Sequence, residues 1–464
     1  MGDHPKVWKG RVTTKTNEHG DFSPYLKKTT ERLLYFSTNK KSPPVDFREA
    51  AITGQAPDKG LYFPENIPVL SSDFFKQLKS KSKGEIAFEV IRPYVGNSIP
   101  GEDLFAICTE TVNFDFPLKK ITESIYSLEL FHGPTIAFKD VGARFMSRCL
   151  SHFSRGNDKK ITVLVATSGD TGSAVANGFL DVKGVDVVIL YPSGKVSKIQ
   201  ELQLTTLGKN ITALEVQGTF DDCQSMVKQA FSDEVLNQQL SLTSANSINV
   251  ARWLPQQFYY FYALQQWPHE FPPIVSVPSG NFGNICAGLL AYFSGAPFKH
   301  FVAACNSNDV FSDYISTKKF TPKTAVGTIS NAMDVGNPSN FVRLLELFAQ
   351  DHKHVKEMIG SCCVNDITTA ETISEVYEKY NYLLEPHGAV AYKGLQNYLE
   401  QHPNQKGFIL ETAHPVKFDD VVQSIIKQTI EVPASVEYLF KLKKKSTVIK
   451  PVFVELKDFL MAEK

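Results

Sequence analysis

Residues 160–182 read KITVLVATSGDTGSAVANGFLDV, and the fold class follows from them. Ile161–Ala166 is an almost unbroken apolar run rich in β-branched residues, the pattern of a strand covered on both faces. A turn of small residues follows, then a stretch of helical spacing. The same unit recurs outward in both directions. SIYSLEL (124–130) precedes TIAFKDVGARFMSRCLSHF (135–153), and VDVVILYP (185–192) precedes SKIQELQLTTLG (197–208). ITALEVQG (211–218), IVSVPSG (274–280) and HFVAACN (300–306) each lead into a further helical stretch, the first of them over 221–240. Alternation of this kind predicts an α/β protein with open, mostly parallel sheets. KGFILETAH (406–414) adds a late strand, and residues 340–402 read as mostly helical.

Composition narrows the function classes. The chain has 464 residues, enough for two or three domains. Forty-nine Lys and Arg balance forty-nine Asp and Glu, which argues against broad nucleic-acid binding through a basic surface. No apolar run approaches the ~18–20 residues of a membrane span. Seven cysteines, none in CxxC, read as reduced thiols, with the cytoplasm as the expected compartment. Residues 1–33 read as a polar tail or extension, and no histidine grouping suggests a metal site.

In open α/β sheets the chemistry sits where strands end and helices begin. Three such corners are rich in small polar residues: Thr167–Ser173, Pro278–Asn284 and Glu411–Pro415. Each can seat an anion on backbone amides at a helix N-terminus, and each can equally be a tight turn with a helix cap. Neither glycine loop is GxGxxG, and GxxxxGK[ST] is absent, which disfavours nucleotide sites. In FHGPTIAFKD (131–140), Thr135 is expected to cap a helix whose apolar stripe is Phe138, Val141, Phe145 and Cys149. Lys139 then falls in an early turn amid apolar neighbours, either as an amine of lowered pKa or as a side chain snorkelling past an apolar face. A desolvated lysine together with a glycine-rich anion cup is what pyridoxal 5′-phosphate requires.

These segments, taken in order, resemble a known family. FHGPTIAFKD, ATSGDTGSA, YPSGKVSKIQ, SANSINVARW, VPSGNFGN, SNAMDVGNPSNF, EPHGAVAY and TAHPVKF are similar to the motif series of the threonine synthases, in their bacterial and fungal branch. VDFREAAITGQAPDKGLYFPENIP (45–68) resembles that branch's N-terminal domain, and the likeness extends over about residues 34–430. It implies a fold-type II pyridoxal-phosphate enzyme with the cofactor between a large and a small domain. The expected layout is an N-terminal domain at 34–116, a catalytic region at 117–430 with a small subdomain near 140–265, and a C-terminal extension at 431–464. The implied reaction converts O-phospho-L-homoserine and water to L-threonine and phosphate.

By motif, Lys139 matches the lysine that carries the cofactor and acts as catalytic base. Gly280, Asn281, Phe282, Gly283 and Asn284 match the loop that holds the cofactor phosphate, and Thr412 the residue whose neutral hydroxyl faces the pyridine nitrogen without holding a proton on it. Ser168, Asp170 and Thr171 resemble the grip on the substrate's α-carboxylate. Asp170 is awkward there, since its charge would repel a carboxylate unless it is protonated or turned away. Arg252 is the first candidate for the substrate's γ-phosphate, because a guanidinium grips phosphate with paired bonds, and Asn246 and Lys195 come after it. His132 is either part of a polar network near Lys139 or structural. His387 and His414 stand in motifs with no role derivable from sequence. The expected partner is a small molecule, and the expected state a monomer or homodimer. The alternatives are a phospho-lyase of the same fold releasing 2-oxobutyrate, a serine or threonine dehydratase, and a non-catalytic relative.

Overall fold

The computed structural model describes residues 33–155 and 160–462, so the expected tail at 1–33, Leu33 apart, lies outside the described residues. The described strands are, in chain order, β1 (Tyr35–Ser37), β2 (Tyr62–Pro64), β3 (Leu118–Lys120), β4 (Ile125–Glu129), β5 (Ile161–Ala166), β6 (Val185–Pro192), β7 (Ile211–Val216), β8 (Ser241–Thr243), β9 (Ile274–Pro278), β10 (His300–Cys305), β11 (Ile359–Cys363), β12 (Gly407–Glu411) and β13 (Thr447–Ile449). They form an antiparallel β1–β2 pair and two larger sheets. One sheet is ordered β11-β10-β9-β12-β4-β3, the other β13-β7-β6-β5-β8. Only β3 pairs antiparallel within these two sheets, against β4.

The parallel arrangement explains the apolar runs. Every residue of β4, β5 and β12 is buried, because helices cover both faces. The smaller sheet draws its strands from 161–243 and, from the far end of the chain, β13 on the free edge of β7. The following helix, Phe453–Ala462, buries Leu456 and Leu460 against the helix Phe220–Ser232.

Two local expectations are corrected, and a third, the mostly helical 340–402, holds with one interruption. The helix carrying Lys139 runs Lys139–Ser154, and Thr135 does not cap it. Thr135 instead donates its amide (2.9 Å) and hydroxyl (2.6 Å) to the Asp140 carboxylate, folding the approach segment onto the helix's first turn. The helical stretch at 221–240 is two helices, broken at Asp233, whose carboxylate accepts the Leu236 amide and starts the second. Residues 340–402 are interrupted by β11, whose sequence IGSCC carries little strand character but pairs along the edge of β10.

The N-terminal segment is fastened by buried polar groups as well as by packing. Asn249 Nδ2 donates to the Ala51 carbonyl at 2.9 Å. Arg343 is fully buried, 4.3 Å over the Trp253 ring. It donates to the carbonyls of Tyr62 (3.0 Å), Ser247 (2.9 Å) and Ile248 (2.6 Å) and to Asn340 Oδ1 (2.8 Å). One guanidinium thus joins β2, the 247–248 segment and the helix Phe341–Leu347.

Arg343→Met keeps the apolar stem and strips these acceptors of their donor. At ~1–3 kcal/mol per unsatisfied buried group, the expected loss is at least about 3 kcal/mol in urea unfolding. An unchanged unfolding midpoint would refute the anchoring role.

Candidate active site

β4, β12 and β9 lie side by side and parallel, so the loops beyond their C-terminal ends open on one edge. The segment after β4 folds against the residues after β12. Ala137 bridges Ala413, Phe138 donates its amide to the Thr412 carbonyl at 2.8 Å, and the Tyr259 hydroxyl binds the Phe138 carbonyl. Lys139 and Thr412 are thereby brought together. The turn leading into Lys139 is strained: Ile136 sits at φ 52°, unfavourable for a β-branched residue. Its carbonyl accepts the His414 amide and its amide donates to Gly133, both at 3.0 Å, which holds that conformation.

The Lys139 ammonium lies 5.5 Å from the centre of the Phe138 ring. Burial lowers its pKa most; Asp170 and Glu385 pull it back up, while Lys417 and Arg252 press it further down, and the net shift is downward. The amine is therefore easier to deprotonate than an exposed lysine.

Beyond β9, residues 280–282 lead into the helix Gly283–Phe293. Phe282 enters it in the left-handed region at φ 60°, with no side chain capping the first turn. Asn281 is spent on scaffolding: its Nδ2 donates to Ser247 Oγ (2.9 Å), its Oδ1 accepts the Ser339 amide (2.6 Å), and its carbonyl accepts Asn340 Nδ2 (3.1 Å). A Cβ at Gly280 would come within 2.6 Å of Met333 Cα, and one at Gly283 within 3.3 Å of Ser247 and Asn340. Among the described residues, buried Asn284 Nδ2 has no partner. Uncapped amides, an orphaned buried donor and bare glycines fit a phosphate monoester.

The smaller sheet contributes the turn after β5. Gly169 enters the helix Asp170–Phe179 at φ 143° without a side-chain cap of its own. Thr167 Oγ1 takes the amides of Gly169 (3.0 Å) and Gly172 (2.8 Å), while those of Asp170 and Thr171 make no bond among the described residues. With the partly exposed hydroxyls of Ser168 and Thr171, they leave a group of donors suited in chemistry to an anion.

The awkward charge of Asp170 is resolved by Lys417, a residue the sequence reading quoted within TAHPVKF but did not single out. Lys417 is fully buried and donates to Asp170 Oδ1 (2.8 Å), the Thr135 carbonyl (2.9 Å) and Gln203 Oε1 (3.0 Å). Gln200 Nε2 also donates to Asp170, at 2.9 Å. Burial by itself would raise the Asp170 carboxyl; Lys417 and Lys139 outweigh it and hold the group well below the usual carboxylate range. Asp170 is ionised and turned toward Lys417.

Arg252 is 4% exposed, and burial lowers its pKa to about 10. Its Nη1 binds the Ala245 carbonyl, and its Nε has no partner among the described residues. It packs on Gly142, one turn beyond Lys139, where a Cβ would come within 3.0 Å of Nε. Asn246 is partly buried in the turn before Asn249. Lys195 stays exposed on the turn after β6.

The three histidines have structural partners. His132 Nε2 pairs with Glu129 at 2.8 Å. His414 Nδ1 accepts the Val416 amide at 3.2 Å, and burial lowers its pKa to about 4. His387 lies between Glu385 and the Ala332 amide. Glu385 is a second residue that sequence reading missed: fully buried, it accepts the Thr412 hydroxyl at 2.9 Å. The available signal was a helix-capping side chain just before Pro386 at the first helical position.

Comparison with known proteins identifies the family. The family described as pyridoxal-phosphate dependent enzyme matches residues 107–410, threonine synthase N terminus matches 34–112, and threonine synthase, C-terminal, matches 388–460. Threonine synthase of Haemophilus influenzae is 43% identical over 419 residues, which are 90% of this chain and 97% of that protein. The crystal structure of threonine synthase from Escherichia coli aligns with a TM-score of 0.86 at 40% identity, covering 93% of this chain and all of that one. A PLP-bound threonine synthase from Brucella melitensis aligns at 0.87 with 32% identity, covering 93% and 99%.

Two outcomes test the geometry. Gly283→Val crowds Ser247 and Asn340, so pyridoxal-phosphate affinity should fall at least ~10-fold, about 1.4 kcal/mol, with the far-ultraviolet circular dichroism unchanged. Unaltered affinity would move the cup elsewhere. Asp170→Asn leaves Lys417 buried without its counter-charge and should cost about 3–5 kcal/mol in urea unfolding at neutral pH. Because the folded pKa is depressed, the wild-type advantage is complete above the unfolded value of ~3.9 and is lost as pH falls through the folded one. Equal stability of the two proteins at pH 7 would contradict the pairing.

Proposed function

The chain belongs to the threonine synthase family of pyridoxal-phosphate enzymes, and from that premise we propose that it converts O-phospho-L-homoserine and water to L-threonine and phosphate, with Lys139 as its catalytic amine. The observation that carries this assignment is a buried lysine of lowered pKa sharing one sheet edge with a glycine-lined, uncapped helix N-terminus. Bound pyridoxal phosphate supplies an electrophilic carbonyl for amines and a ring that takes electron density from the substrate's α-carbon.

This chain's residues do the rest. The helix beginning at Gly283, with Gly280 and Asn284, holds the cofactor phosphate on backbone amides. Thr412 faces the ring nitrogen. Lys139 Nζ would hold the cofactor and, when free, would take the α-proton as general base, give that proton back to the cofactor-bound substrate, and so be neutral again to take a β-proton. Its lowered pKa raises the neutral fraction of the amine above that of an exposed lysine. The amides of Asp170 and Thr171 and the hydroxyls of Ser168 and Thr171 orient the α-carboxylate, and the Lys417 pairing draws the Asp170 charge away from it. Arg252 receives the γ-phosphate as it departs, through its guanidinium. Asn246 and Lys195 are assigned supporting contacts to the same phosphate. Water then adds at the β-carbon, and a proton at the γ-carbon completes the methyl group. Closure of the smaller sheet's domain over the substrate excludes other water.

All seven cysteines are unpaired, which supports a reducing compartment, and we assign the reaction to the cytoplasm. No helix among the described residues is long and apolar enough to cross a membrane.

Product analysis tests the assignment. O-phosphohomoserine should yield threonine and phosphate in equal amounts, with homoserine inert, and Lys139→Ala should lose several orders of magnitude in turnover. Arg252→Ala should lower phosphohomoserine turnover by roughly 10- to 150-fold, from ~1.5–3 kcal/mol of lost charge-assisted bonding, and spare any side activity on serine. Phosphate with 2-oxobutyrate and no threonine would replace the synthase reading with the phospho-lyase one.

A further inference from the structure

We infer that Glu385 is a positioning residue that claims the single proton of the Thr412 hydroxyl, so that Thr412 presents lone pairs to the pyridine nitrogen of bound pyridoxal phosphate and that nitrogen is held in its protonated form. The inference rests on the reading of Thr412 as the residue opposite that nitrogen.

A hydroxyl has one proton to give and two lone pairs. Which way Thr412 spends its proton is set by what lies behind it. Glu385 stands at the N-terminus of the helix Pro386–Gln401, and both of its oxygens are engaged by N–H donors. Oε1 accepts the Gly388 amide at 3.0 Å, and Oε2 accepts the His387 amide at 2.8 Å and His387 Nδ1. The ring nitrogen Nδ1 is a donor because the opposite nitrogen, Nε2, accepts the Ala332 amide at 3.1 Å. Three N–H groups and the positive end of a 16-residue helix favour the carboxylate, which can only accept. The remaining contact, 2.9 Å from Thr412 Oγ1 to Oε1, is therefore donated by the hydroxyl.

Glu411 does not compete for that proton. Its Oε1 accepts the Glu385 amide at 2.7 Å. Its carboxyl is pushed up by burial and then by the Glu385 and Glu129 charges, so it stays neutral beside the Glu385 carboxylate. With its proton committed backward, Thr412 forms a hydrogen bond to a ring nitrogen only when that nitrogen carries a proton, which is taken up from solvent as the cofactor binds. The Glu385 charge, one hydroxyl away, balances the resulting positive ring. This reverses the expectation drawn from a neutral hydroxyl alone, and it makes the ring a stronger electron sink.

The experiment is 15N NMR of the holoenzyme reconstituted with pyridoxal phosphate labelled at the ring nitrogen, at neutral pH. The wild-type resonance should sit at the upfield position of a pyridinium. In Glu385→Gln the new amide can donate to Thr412, freeing the hydroxyl proton to point forward, and the resonance should move downfield to that of a neutral pyridine. Thr412→Val should also move it from the wild-type position. A wild-type resonance at the neutral position overturns the inference, and that measurement needs no variant to fold. So does a Glu385→Gln holoenzyme that keeps the wild-type shift while Thr412→Val changes it. If Thr412→Val itself leaves the shift untouched, the failure lies in the placement of Thr412, and the inference falls with it.

Discussion

The ion pair between Lys417 and Asp170 is the contact on which the site depends. Lys417 follows the last strand of the larger sheet, and Asp170 opens a helix of the smaller one, so the pair spans the two halves at the place where the loops meet. Burying two charges is costly, and such pairs persist where further hydrogen bonds complete them. Here the Thr135 carbonyl, Gln203 and Gln200 do so. Thr135 in turn holds Asp140, so the network reaches the first turn of the helix that carries Lys139. Two cations, Lys417 and Arg252, press on the Lys139 amine, while Asp170 tempers them. The lysine's chemistry is thus a balance struck among residues from both sheets.

The sheets and their site loops were legible because a buried parallel strand has an unmistakable composition. β5, β6 and β9 announce themselves as apolar runs ending in small residues, and such turns at strand C-termini are where open α/β folds keep their ligands. What escaped notice lacked that signature. β8 and β13 have three residues each, and β13 is largely exposed, so pairing with a neighbouring edge, and not residue type, makes them strands. Thr135 looked like a helix cap because the pattern shows which residues can cap but not which amides they meet, and its bonds go to Asp140 instead. Asp170 posed a puzzle in one dimension because its counter-charge lies far along the chain. Glu385 was quoted within a motif, and its place before Pro386 marks it only as a helix cap; its contact with Thr412 appears only once β12 brings that residue beside it.

The strained turn at Ile136 has a similar origin. A β-branched residue at positive φ is poor local design, and local preference argues against it. Bonds on both sides, to Gly133 and His414, over-determine it, and they route the chain from β4 back across the residues after β12. That crossing sets Phe138 against Thr412, next to Lys139. Local conflict at a functional turn is where sequence preference and tertiary requirement part company.

Arg343 carries one more implication. Its guanidinium binds the Tyr62 carbonyl of the N-terminal segment and Asn340 Oδ1, while Asn340 Nδ2 binds the Asn281 carbonyl in the glycine loop. Docking of the N-terminal segment and the shape of the glycine loop therefore share one pivot. On the proposal that this loop holds the cofactor phosphate, a change that loosens Arg343 disturbs the segment and the loop together, although the segment lies far from the chemistry.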